Sequence, residues 1–562
     1  MWKWLVDTLR SNPEIAVFVC LSIGAYVGKL SYKGVGLGAV TGTLLAALVV
    51  GQLDITVSND VRSIFFLMFL FAIGYSVGPQ FVQGIAKNGV PQALFAVVVS
   101  ALCLGSAWLA GRIAGYDVGS TAGLFAGAAT ISSALALSVD AIGQLGVSAA
   151  EATKLEHAVP TAFAMTYIFG TVGATMIICV IGPKLLGFDL VAACRAYEVK
   201  MGGHRHGHGQ TAWHHFIARA FRVDADSGLV GRTTVEVEAA DEHGRIFIER
   251  VRRDGKIMEA TVDFVLQAGD VIGVAGSRQN VIGMAGPGVV EIEDAELLDV
   301  PTEGTEILIT SRKANGKTLG DLAKLPSTRG IFLRRIQRGA TGVEIPILPA
   351  TELHRGDVVT VVGRPQDISR AIAAFGRADR ATEETDIGLV SAAIVIGALI
   401  GSAVLKIGSV PITLSSSGGV LLAGIALGWL RSVHPTFGRI PPAANWLLNT
   451  LGLNMFIAAV GLSAGPSFVA GVQQLGVSLF LWGMVVTTVP LILALYIGKY
   501  VFRFDDAIVL GCCAGARAST ASLGMLTARA KSQTPALGFT VSCAVANTLL
   551  TIGGMLIVLL AA

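Results

Sequence analysis

Long runs of apolar residues constrain this chain more than any other feature of its sequence. Residues 65–85 and 93–113, for example, are each as long as the roughly 20 residues that a helix needs to cross a bilayer. Such runs lie on both sides of a polar section, residues 183–384. With 53% hydrophobic and only 14% charged residues, the composition is unlike that of a soluble domain. The sequence therefore predicts an all-α polytopic membrane protein embedded in a lipid bilayer.

The apolar segments fall into two groups of five. The predicted spans are residues 15–28, 34–50, 65–85, 93–113 and 158–182 before the polar section, and 387–405, 412–430, 448–472, 475–498 and 535–560 after it. Residues 1–12 lack the cleavage site of a secretory signal, and we interpret them as an amphipathic segment at the membrane surface.

One short stretch near the end of the chain carries a permanent charge. Residues 511–523 read Gly-Cys-Cys-Ala-Gly-Ala-Arg-Ala-Ser-Thr-Ala-Ser-Leu, with Arg517 in the middle. A guanidinium at membrane depth is costly, and such residues mark substrate or ion pathways. The small residues around it favour a broken or re-entrant helix, whose free N–H groups can face an anion. The stretch therefore predicts a binding site for a carboxylate, and the alternative is that Arg517 is structural, tying helix ends together or capping backbone carbonyls.

A related stretch lies in the first half of the chain. Residues 123–135 share Gly, Ala and Leu positions with the charged stretch, and Ala129 stands where the second half has Arg517. A second pair of segments, 71–84 and 458–471, shares the pattern Gly-x-Ser-x-Gly-Pro-x-Phe-Val-x-Gly. Duplicated halves of this kind are typical of secondary transporters. The site is therefore predicted to be a pseudo-symmetric pair of segments with one charged member.

The repeated pattern also predicts a helix break or kink in each half. Gly78 and Pro79 in the first half correspond to Gly465 and Pro466 in the second. Proline removes a backbone donor and glycine allows another backbone to approach closely, so these positions favour an interruption.

The membrane orientation depends on whether the two Gly-rich stretches cross the bilayer. If each re-enters without crossing, each half has about five spans and the two halves form an inverted repeat. Basic residues then gather on one side, at Lys29, Lys33, Lys87, Arg431, Arg439, Lys499, Arg503, Arg529 and Lys531, and acidic residues on the other, at Asp54, Asp60, Asp117, Glu151 and Glu156. By the positive-inside rule, residues 183–384 are then expected on the cytoplasmic side of a bacterial inner membrane. If the stretches cross, the count is six plus six and the 29–33 loop lies outside.

The polar section contains a duplication of its own. Leu-Gln-Ala-Gly-Asp-Val-Ile-Gly-Val-Ala-Gly at 266–276 matches Leu-His-Arg-Gly-Asp-Val-Val-Thr-Val-Val-Gly at 353–363, and both read as a strand between two turns. A pair of small α+β domains is predicted, without a dinucleotide or phosphate-loop fingerprint. The predicted boundaries are 1–182 for the first membrane repeat, 183–219 for a His-rich linker, 220–290 and 291–378 for the two domains, and 379–562 for the second repeat.

Hydroxyl groups are the other candidate substrate ligands. Those around the two special stretches either bind substrate or satisfy backbone groups freed by the break: Ser519, Thr520, Ser522, Thr130, Ser132 and Ser133. Ser76 and Ser463, in the repeated pattern, are candidates for the transport path. Tyr75 and Asp140 are candidates for coupling or gating, and the alternative for Asp140 is an exposed acid in an outer loop.

No cofactor, metal or nucleic-acid partner is predicted. The seven Cys residues are scattered through apolar segments, which is neither a disulfide nor a zinc pattern. His204, His206, His208, His214 and His215 form a dense cluster, and imidazoles bind metals. The tract is Gly-rich and lacks Cys or acidic partners at metal spacing, so we interpret it as a solvated linker.

The paired Gly-x-Ser-x-Gly-Pro motifs, flanking two domains similar to the C-terminal regulatory (RCK-C) modules of potassium-transport proteins, resemble the aspartate:alanine exchanger family. The resemblance covers nearly the whole chain. It implies a secondary active antiporter that exchanges L-aspartate for L-alanine electrogenically by alternating access, and a homodimer built by the RCK-C-like domains. Other members of the family imply an alternative, export of a dicarboxylate or glutamate.

A third reading, from another class, is an ion channel regulated by the RCK-like domains. The sequence lacks a recognisable carbonyl filter motif, which disfavours it. The sequence shows no group of acid–base or nucleophilic residues that would predict an enzyme.

Overall fold

The computed structural model has two helical regions separated by a β-rich section. It describes the chain except for residues 1, 30, 33, 34, 37, 86–88, 203–215, 240–245, 285, 339–341, 379–384, 408, 409, 414 and 434–439. The polytopic helical class and the central α+β insert are therefore confirmed.

The first membrane half consists of helices and one short β-hairpin. Its elements are α1 (Trp2–Ser11), α2 (Pro13–Val27), β1 (Ser31–Tyr32), β2 (Val35–Gly36), α3 (Ala39–Val50), α4 (Asn59–Ile85), α5 (Val90–Ala114), α6 (Val118–Ala129), α7 (Ser132–Ile142), α8 (Ala149–Met176), α9 (Gly182–Leu186) and α10 (Leu190–Lys200). A 3-10 turn, Gly51–Leu53, follows α3, and a π-helical turn, Ile177–Ile181, joins α8 to α9. Asp117 begins α6 as an N-cap, because its carboxylate accepts from the Ser120 amide at 2.6 Å.

The insert contains two antiparallel five-stranded sheets. Its elements are β3 (Phe216–Val223), α11 (Thr234–Ala239), β4 (Ile246–Arg253), β5 (Lys256–Glu259), β6 (Val271–Ser277), α12 (Arg278–Gly283), β7 (Val289–Ile292), α13 (Ala295–Leu298), β8 (Glu303–Ile309), β9 (Lys317–Thr318), α14 (Leu319–Ala323), β10 (Ile331–Arg338), β11 (Val343–Ile345), β12 (Glu352–Leu353), β13 (Val358–Gly363), α15 (Pro365–Phe375) and β14 (Gly376–Ala378). The strand orders are β5-β4-β6-β3-β7 and β11-β10-β13-β8-β14. When the five strands of each sheet are matched in chain order, the two sheets have the same strand order, which confirms the duplication.

The second membrane half repeats the element order of the first. It contains α16 (Ile387–Ser402), β15 (Val404–Ile407), β16 (Val410–Thr413), α17 (Ser415–Val433), α18 (Pro442–Tyr496), α19 (Asp506–Ala516), α20 (Thr520–Ala530) and α21 (Ala536–Ala561). Five helical segments in the described part of the chain are long and apolar enough to cross a membrane: Asn59–Gly78, Val90–Ala114, Ala149–Leu186, Pro442–Val501 and Ala536–Ala561. Shorter apolar helices, such as Pro13–Val27 and Ile387–Ser402, supply the rest of the bundle.

One difference between the halves concerns α18. The spans predicted at 448–472 and 475–498 form a single helix of 55 residues, which is about 80 Å long at 1.5 Å per residue. The corresponding first-half helices, α4 and α5, are separate, and Pro91 stands in the first turn of α5. The second half has Ser478 at the position that corresponds to Pro91, and the preceding residues 472–475, Val-Gln-Gln-Leu, permit a continuous helix.

The repeat is inverted, because equivalent helices run antiparallel. The Phe66 and Phe456 rings stack at 4.7 Å, and Asn445, nearer the start of α18, donates to Ser76, nearer the end of α4, at 2.7 Å. The neighbours are exchanged between the halves: α17 packs along α4, and α3 packs along α18. The predicted inverted relationship is therefore present in the packing of the helices.

At Gly78, Pro79, Gly465 and Pro466 the predicted break is wrong, because α4 and α18 continue through these residues, and a kink there stays a prediction. A proline frees the carbonyl four residues earlier, which is that of Tyr75 in α4 and of Leu462 in α18. A glycine of the neighbouring helix or turn packs directly on each of these carbonyls, Gly428 on Tyr75 and Gly51 on Leu462. Close contacts from neighbouring helices let transmembrane helices tolerate such prolines.

Charged groups hold the two insert domains together. Arg329 of the second domain pairs with Glu238 of the first at 2.8 Å, and Arg364 lies 3.4 Å from the buried Glu249. Burial raises the pKa of the Glu249 carboxyl to about 7, although the Arg364 guanidinium acts in the opposite direction. The contact between the domains therefore contains a carboxyl group that titrates near neutral pH.

Candidate functional site

The first special stretch is a re-entrant hairpin. Hairpin 1 consists of α6, α7 and the turn at residues 130–131, and it packs along α8. Gly119 at the start of α6 lies against Leu155, and Gly127 near its end lies against Phe163. The chain then returns, so that Gly143, after α7, lies near Glu156. Both ends of hairpin 1 therefore lie at the beginning of α8, which we call the first face of the bundle.

The second special stretch is also a hairpin, and it enters from the other end of α8. Hairpin 2 consists of α19, α20 and the turn at residues 517–519. Lys499 donates to the Leu186 carbonyl at the end of α9 and pairs with Asp506 at 2.7 Å, so α19 starts there, at what we call the second face. The chain returns to the second face after α20, where Thr534 hydrogen-bonds Glu198 of α10 at 3.2 Å, close to the Lys200–Asp505 ion pair.

The tips of the two hairpins meet inside the bundle. Arg517, at the tip of hairpin 2, donates to the carbonyl of Ala128 at the tip of hairpin 1. Thr487 of α18 donates to the same carbonyl at 3.3 Å. Because the hairpins are 11 to 12 residues long on each side, about 17 Å at 1.5 Å per residue, each reaches only about halfway through a ~30 Å hydrocarbon layer. The prediction that the segments re-enter agrees with this geometry, and full crossing does not.

Both tips place a non-glycine residue in a left-handed conformation. Thr130 has φ 60° and Ala518 has φ 49°, and the two positions correspond in the repeat. Side chains other than glycine rarely adopt this region, and a β-branched residue such as Thr130 is unusual there. Strain of this kind tends to concentrate at functional sites.

Arg517 is buried without a carboxylate partner. Its side chain is 0% exposed. Besides the Ala128 carbonyl, it contacts the Cys103 thiol of α5, with Nη1 3.8 Å from Sγ, and its Nε has no hydrogen-bond partner. No ion pair to Arg517 is present in the described part of the chain. A buried guanidinium with unused donors is suited to bind a carboxylate in a bidentate manner.

Hydroxyl groups link each hairpin to the long helix of the opposite half. In hairpin 2, the Ser522 hydroxyl lies 2.8 Å from that of Ser519 and 3.0 Å from that of Thr175 in α8. In hairpin 1, the Ser133 hydroxyl lies 2.6 Å from that of Thr551 in α21. The two hairpins are therefore each fastened to the other repeat by one serine–threonine pair.

The remaining hydroxyl candidates have separate positions. Thr520 is exposed in the first turn of α20, and Ser132 is half-buried in the first turn of α7. Ser76 donates to the Ala72 carbonyl within α4 and accepts from Asn445, which places it in the contact between α4 and α18. Ser463 donates to the Ala459 carbonyl within α18.

Asp140 and Tyr75, the candidates for coupling or gating, lie outside the tips. Asp140, near the base of hairpin 1, accepts from Ser417 in the first turn of α17 at 2.8 Å. The Tyr75 hydroxyl accepts from Arg431 at 2.9 Å and so connects α4 to the last turn of α17. Each residue therefore joins a different end of α17 to the rest of the bundle.

Sequence reasoning missed several groups at the site. Thr175 and Thr551 lie in long apolar spans, where a single threonine gives no signal. The Ala128 carbonyl carries no side-chain signature at all. The His cluster at 204–215, interpreted above as a solvated linker, lies outside the described residues, and no cluster of metal-ligating residues occurs in the described ranges.

Comparisons with known proteins agree with this architecture. Residues 16–183 and 389–559 match the family model described as "Predicted Permease Membrane Region", and residues 218–284 and 305–376 match the TrkA-C domain. An uncharacterized transporter of Shewanella oneidensis is 51% identical, covering 99% of this chain and 100% of the relative. Another, of Bradyrhizobium diazoefficiens, is 38% identical, covering 92% of this chain and 100% of the relative. No solved structure matches the chain.

Proposed function

We propose a function on the premise that this chain belongs to the aspartate:alanine exchanger family of permeases, whose membrane-region model matches both of its halves. The chain is a membrane transporter with two TrkA-C domains. We infer that it is a secondary active antiporter of small amino acids, exchanging L-aspartate for L-alanine. The observation that carries this proposal is Arg517, a fully buried cation at the meeting point of two hairpins, with no carboxylate of the described chain paired to it.

In the proposed mechanism, the substrate carboxylate takes the place of the Ala128 carbonyl as acceptor of the Arg517 donors. A charge-assisted bidentate pair is stronger than a bond to a neutral carbonyl, so the exchange favours substrate binding. The Ser519 and Ser522 hydroxyls lie on the same turn and supply neutral hydrogen bonds. In the empty carrier, the contact between Arg517 and Ala128 therefore holds the site closed.

The proposed transport cycle begins from a closed state, because Arg517 is 0% exposed in this structure. A substrate reaches it only after one hairpin moves. Movement of hairpin 1 opens the site toward the first face, and movement of hairpin 2 opens it toward the second face. The inverted repeat makes the two movements structurally equivalent.

We propose that the second face is cytoplasmic. The insert leaves the bundle there through α10, and Lys499 and Lys531 lie at the base of hairpin 2. Glu151 and Glu156 lie at the first face, near the start of α8. This charge distribution follows the positive-inside rule for an inner-membrane protein. The homodimer and the roles of Asp140 and Tyr75 in coupling stay predictions.

The proposal is tested by uptake of labelled aspartate into proteoliposomes preloaded with alanine, aspartate, succinate or nothing. An exchanger takes up aspartate only when alanine or aspartate is inside. Uptake of aspartate into empty vesicles at the same rate contradicts obligatory exchange. Absence of aspartate uptake under every loading contradicts the amino-acid assignment.

Export of a dicarboxylate is the second candidate, and one observation favours it. Arg517 recognises a carboxylate, whereas no acidic side chain is paired with it or its contact partners in the described residues, so a substrate ammonium group has only carbonyls to bind. Uptake of labelled succinate that depends on internal succinate, without aspartate uptake, supports this candidate.

A further inference from the structure

The second insert domain contains an apolar cavity of about 290 Å³. It lies between one face of the sheet, with strands β8, β10 and β13, and helices α14 and α15. Ile307, Leu322, Val361 and Phe375 are among its lining residues, and every lining residue except Thr328 is apolar. The lining residue Ile347 is 44% exposed, so the cavity reaches the surface of the domain.

The chemistry of the lining defines the ligand class. The hydroxyl of Thr328 donates to the Leu325 carbonyl at 2.8 Å, so it already serves the local backbone. No charged side chain lines the cavity. Anions, nucleotides and metal ions therefore have no side-chain partner there, whereas an apolar cavity that opens at the surface favours small apolar molecules.

The first insert domain carries a larger side chain at a position equivalent to one that lines the cavity. The two domains are aligned by a buried arginine–aspartate pair, Arg253–Asp270 in the first and Arg338–Asp357 in the second. The amide of Val223 donates to the Asp270 carbonyl, and the amide of Ile309 donates to the Asp357 carbonyl, so these two residues are equivalent. Two residues earlier in each strand, Phe221 of β3 is therefore equivalent to Ile307 of β8.

The two domains therefore differ in the size of the side chain at this core position. Phe221 is fully buried in the first domain, and the second domain has a smaller side chain at the same place. A phenylalanine ring at position 307 is therefore expected to reduce the volume of the cavity.

A continuous path connects this cavity to hairpin 2. Between the lining residues Ile347 and Leu353, the chain turns at residues 349–350, where the Ala350 amide donates to the Met201 carbonyl at 3.0 Å, just after α10. On α10, Glu198 bonds Thr534, and Lys200 pairs with Asp505 at 3.7 Å. These groups stand at the two ends of hairpin 2.

We propose that the second insert domain binds a compact, uncharged apolar molecule in this cavity, and that its occupancy controls hairpin 2 through α10. Binding expands or rigidifies the 346–353 segment, which holds the end of α10. The position of α10 then sets the base of the hairpin that carries Arg517. The binding step is independent of the proposed transport function, and the control step rests on it.

The probe for binding is 3-trifluoromethyl-3-phenyldiazirine, a small apolar photoreactive molecule, added to the full-length protein in lipid nanodiscs. After illumination, adducts are mapped by peptide mass spectrometry. Adducts are expected on peptides 319–333 and 347–361. The Ile307→Phe variant fills the cavity with the ring that the first domain carries, and labelling of these peptides is expected to fall at least tenfold.

Two internal controls separate the site from partition into lipid. Labelling of peptides from α8 and α21 reports lipid access and is expected to be equal in both proteins. The Leu308→Phe variant adds the same ring on the opposite face of β8, since side chains alternate along a strand, and is expected to keep the labelling. Equal insert labelling in wild type and Ile307→Phe, or none in wild type, overturns the binding proposal.

Control of hairpin 2 is read from exchange in proteoliposomes before and after photolabelling. At least a twofold change in the exchange rate is expected in wild type and none in Ile307→Phe. An unchanged rate in labelled wild type overturns the control step. Failure of the proposed function is distinguished from this, because it appears as absence of exchange before any probe is added.

Discussion

Replacing Arg517 with methionine separates a substrate role from a structural one. Methionine has a similar length and no charge. If Arg517 binds the substrate carboxylate, the variant loses a buried charge-assisted pair, which costs about 2–5 kcal/mol. At about 1.4 kcal/mol per tenfold, the apparent affinity for aspartate falls by about 30-fold to about 4,000-fold.

The same change has the opposite expected effect on the empty protein. In the structure, Arg517 is 0% exposed, and among the described groups its side chain donates only to the Ala128 carbonyl and the Cys103 thiol. Its desolvation is thus poorly compensated, and replacing a poorly paired buried charge by an apolar side chain is often neutral or stabilising. The melting temperature of Arg517→Met without substrate is expected to equal or exceed that of wild type.

The assay combines thermal unfolding of the purified protein, with and without aspartate, and exchange in proteoliposomes. Wild type is expected to gain stability on adding aspartate, and Arg517→Met is expected not to. Arg529→Met is the matched control, because Arg529 is exposed in the last turn of the same hairpin. A variant with a lowered melting temperature and an unchanged half-saturation for aspartate refutes the reasoning and makes Arg517 structural.

Three other perturbations have expected outcomes. Burial raises the pKa of Glu249 from 4.5 to about 7 in the folded insert, so the stability of the wild-type insert is greatest below about pH 4.5 and falls by up to about 3 kcal/mol as the pH rises through 7. Glu249→Gln is expected to remove this pH dependence, which melting curves from pH 5 to 8 measure. Gly428→Ala places a methyl group against a carbonyl of α4 and is expected to destabilise by about 1–3 kcal/mol, whereas Gly524→Ala, which points into open space, is neutral; equal melting temperatures contradict the close contact. Ser522→Ala removes the hydrogen bond between the Ser522 and Thr175 hydroxyls and is expected to slow exchange. Because Thr175→Val removes the same bond, the double variant is expected to lose less than the sum of the two single losses, and fully additive losses in a double-mutant cycle speak against the pair.

The sequence predicted the parts of the fold that depend on local pattern and on duplication. Apolar length identified the membrane regions, and the repeated Gly-Asp turns identified the two insert domains, both of which the family comparison confirms. The charged stretch around Arg517 was recognisable because a cation in a Gly-rich apolar segment is rare.

The sequence misjudged the prolines. Pro79 and Pro466 predict interruptions when only their own helix is considered. Whether a proline interrupts its helix depends on what contacts the freed carbonyl, and that contact comes from Gly428 or Gly51, hundreds of residues away. The merging of two predicted spans into α18 goes with Ser478, which stands where the first half has Pro91.

Composition and internal repetition thus determined the membrane class, the inverted duplication and the identity of the charged residue, because these are properties of the residue order itself. The tertiary structure alone decided that the two hairpins enter from opposite faces and that Arg517 meets the Ala128 carbonyl. It also decided that Thr175 and Thr551 fasten the hairpins across the repeat. The physical reason is that these contacts join residues more than 300 positions apart, and a backbone carbonyl or a lone threonine carries no pattern that local sequence can reveal.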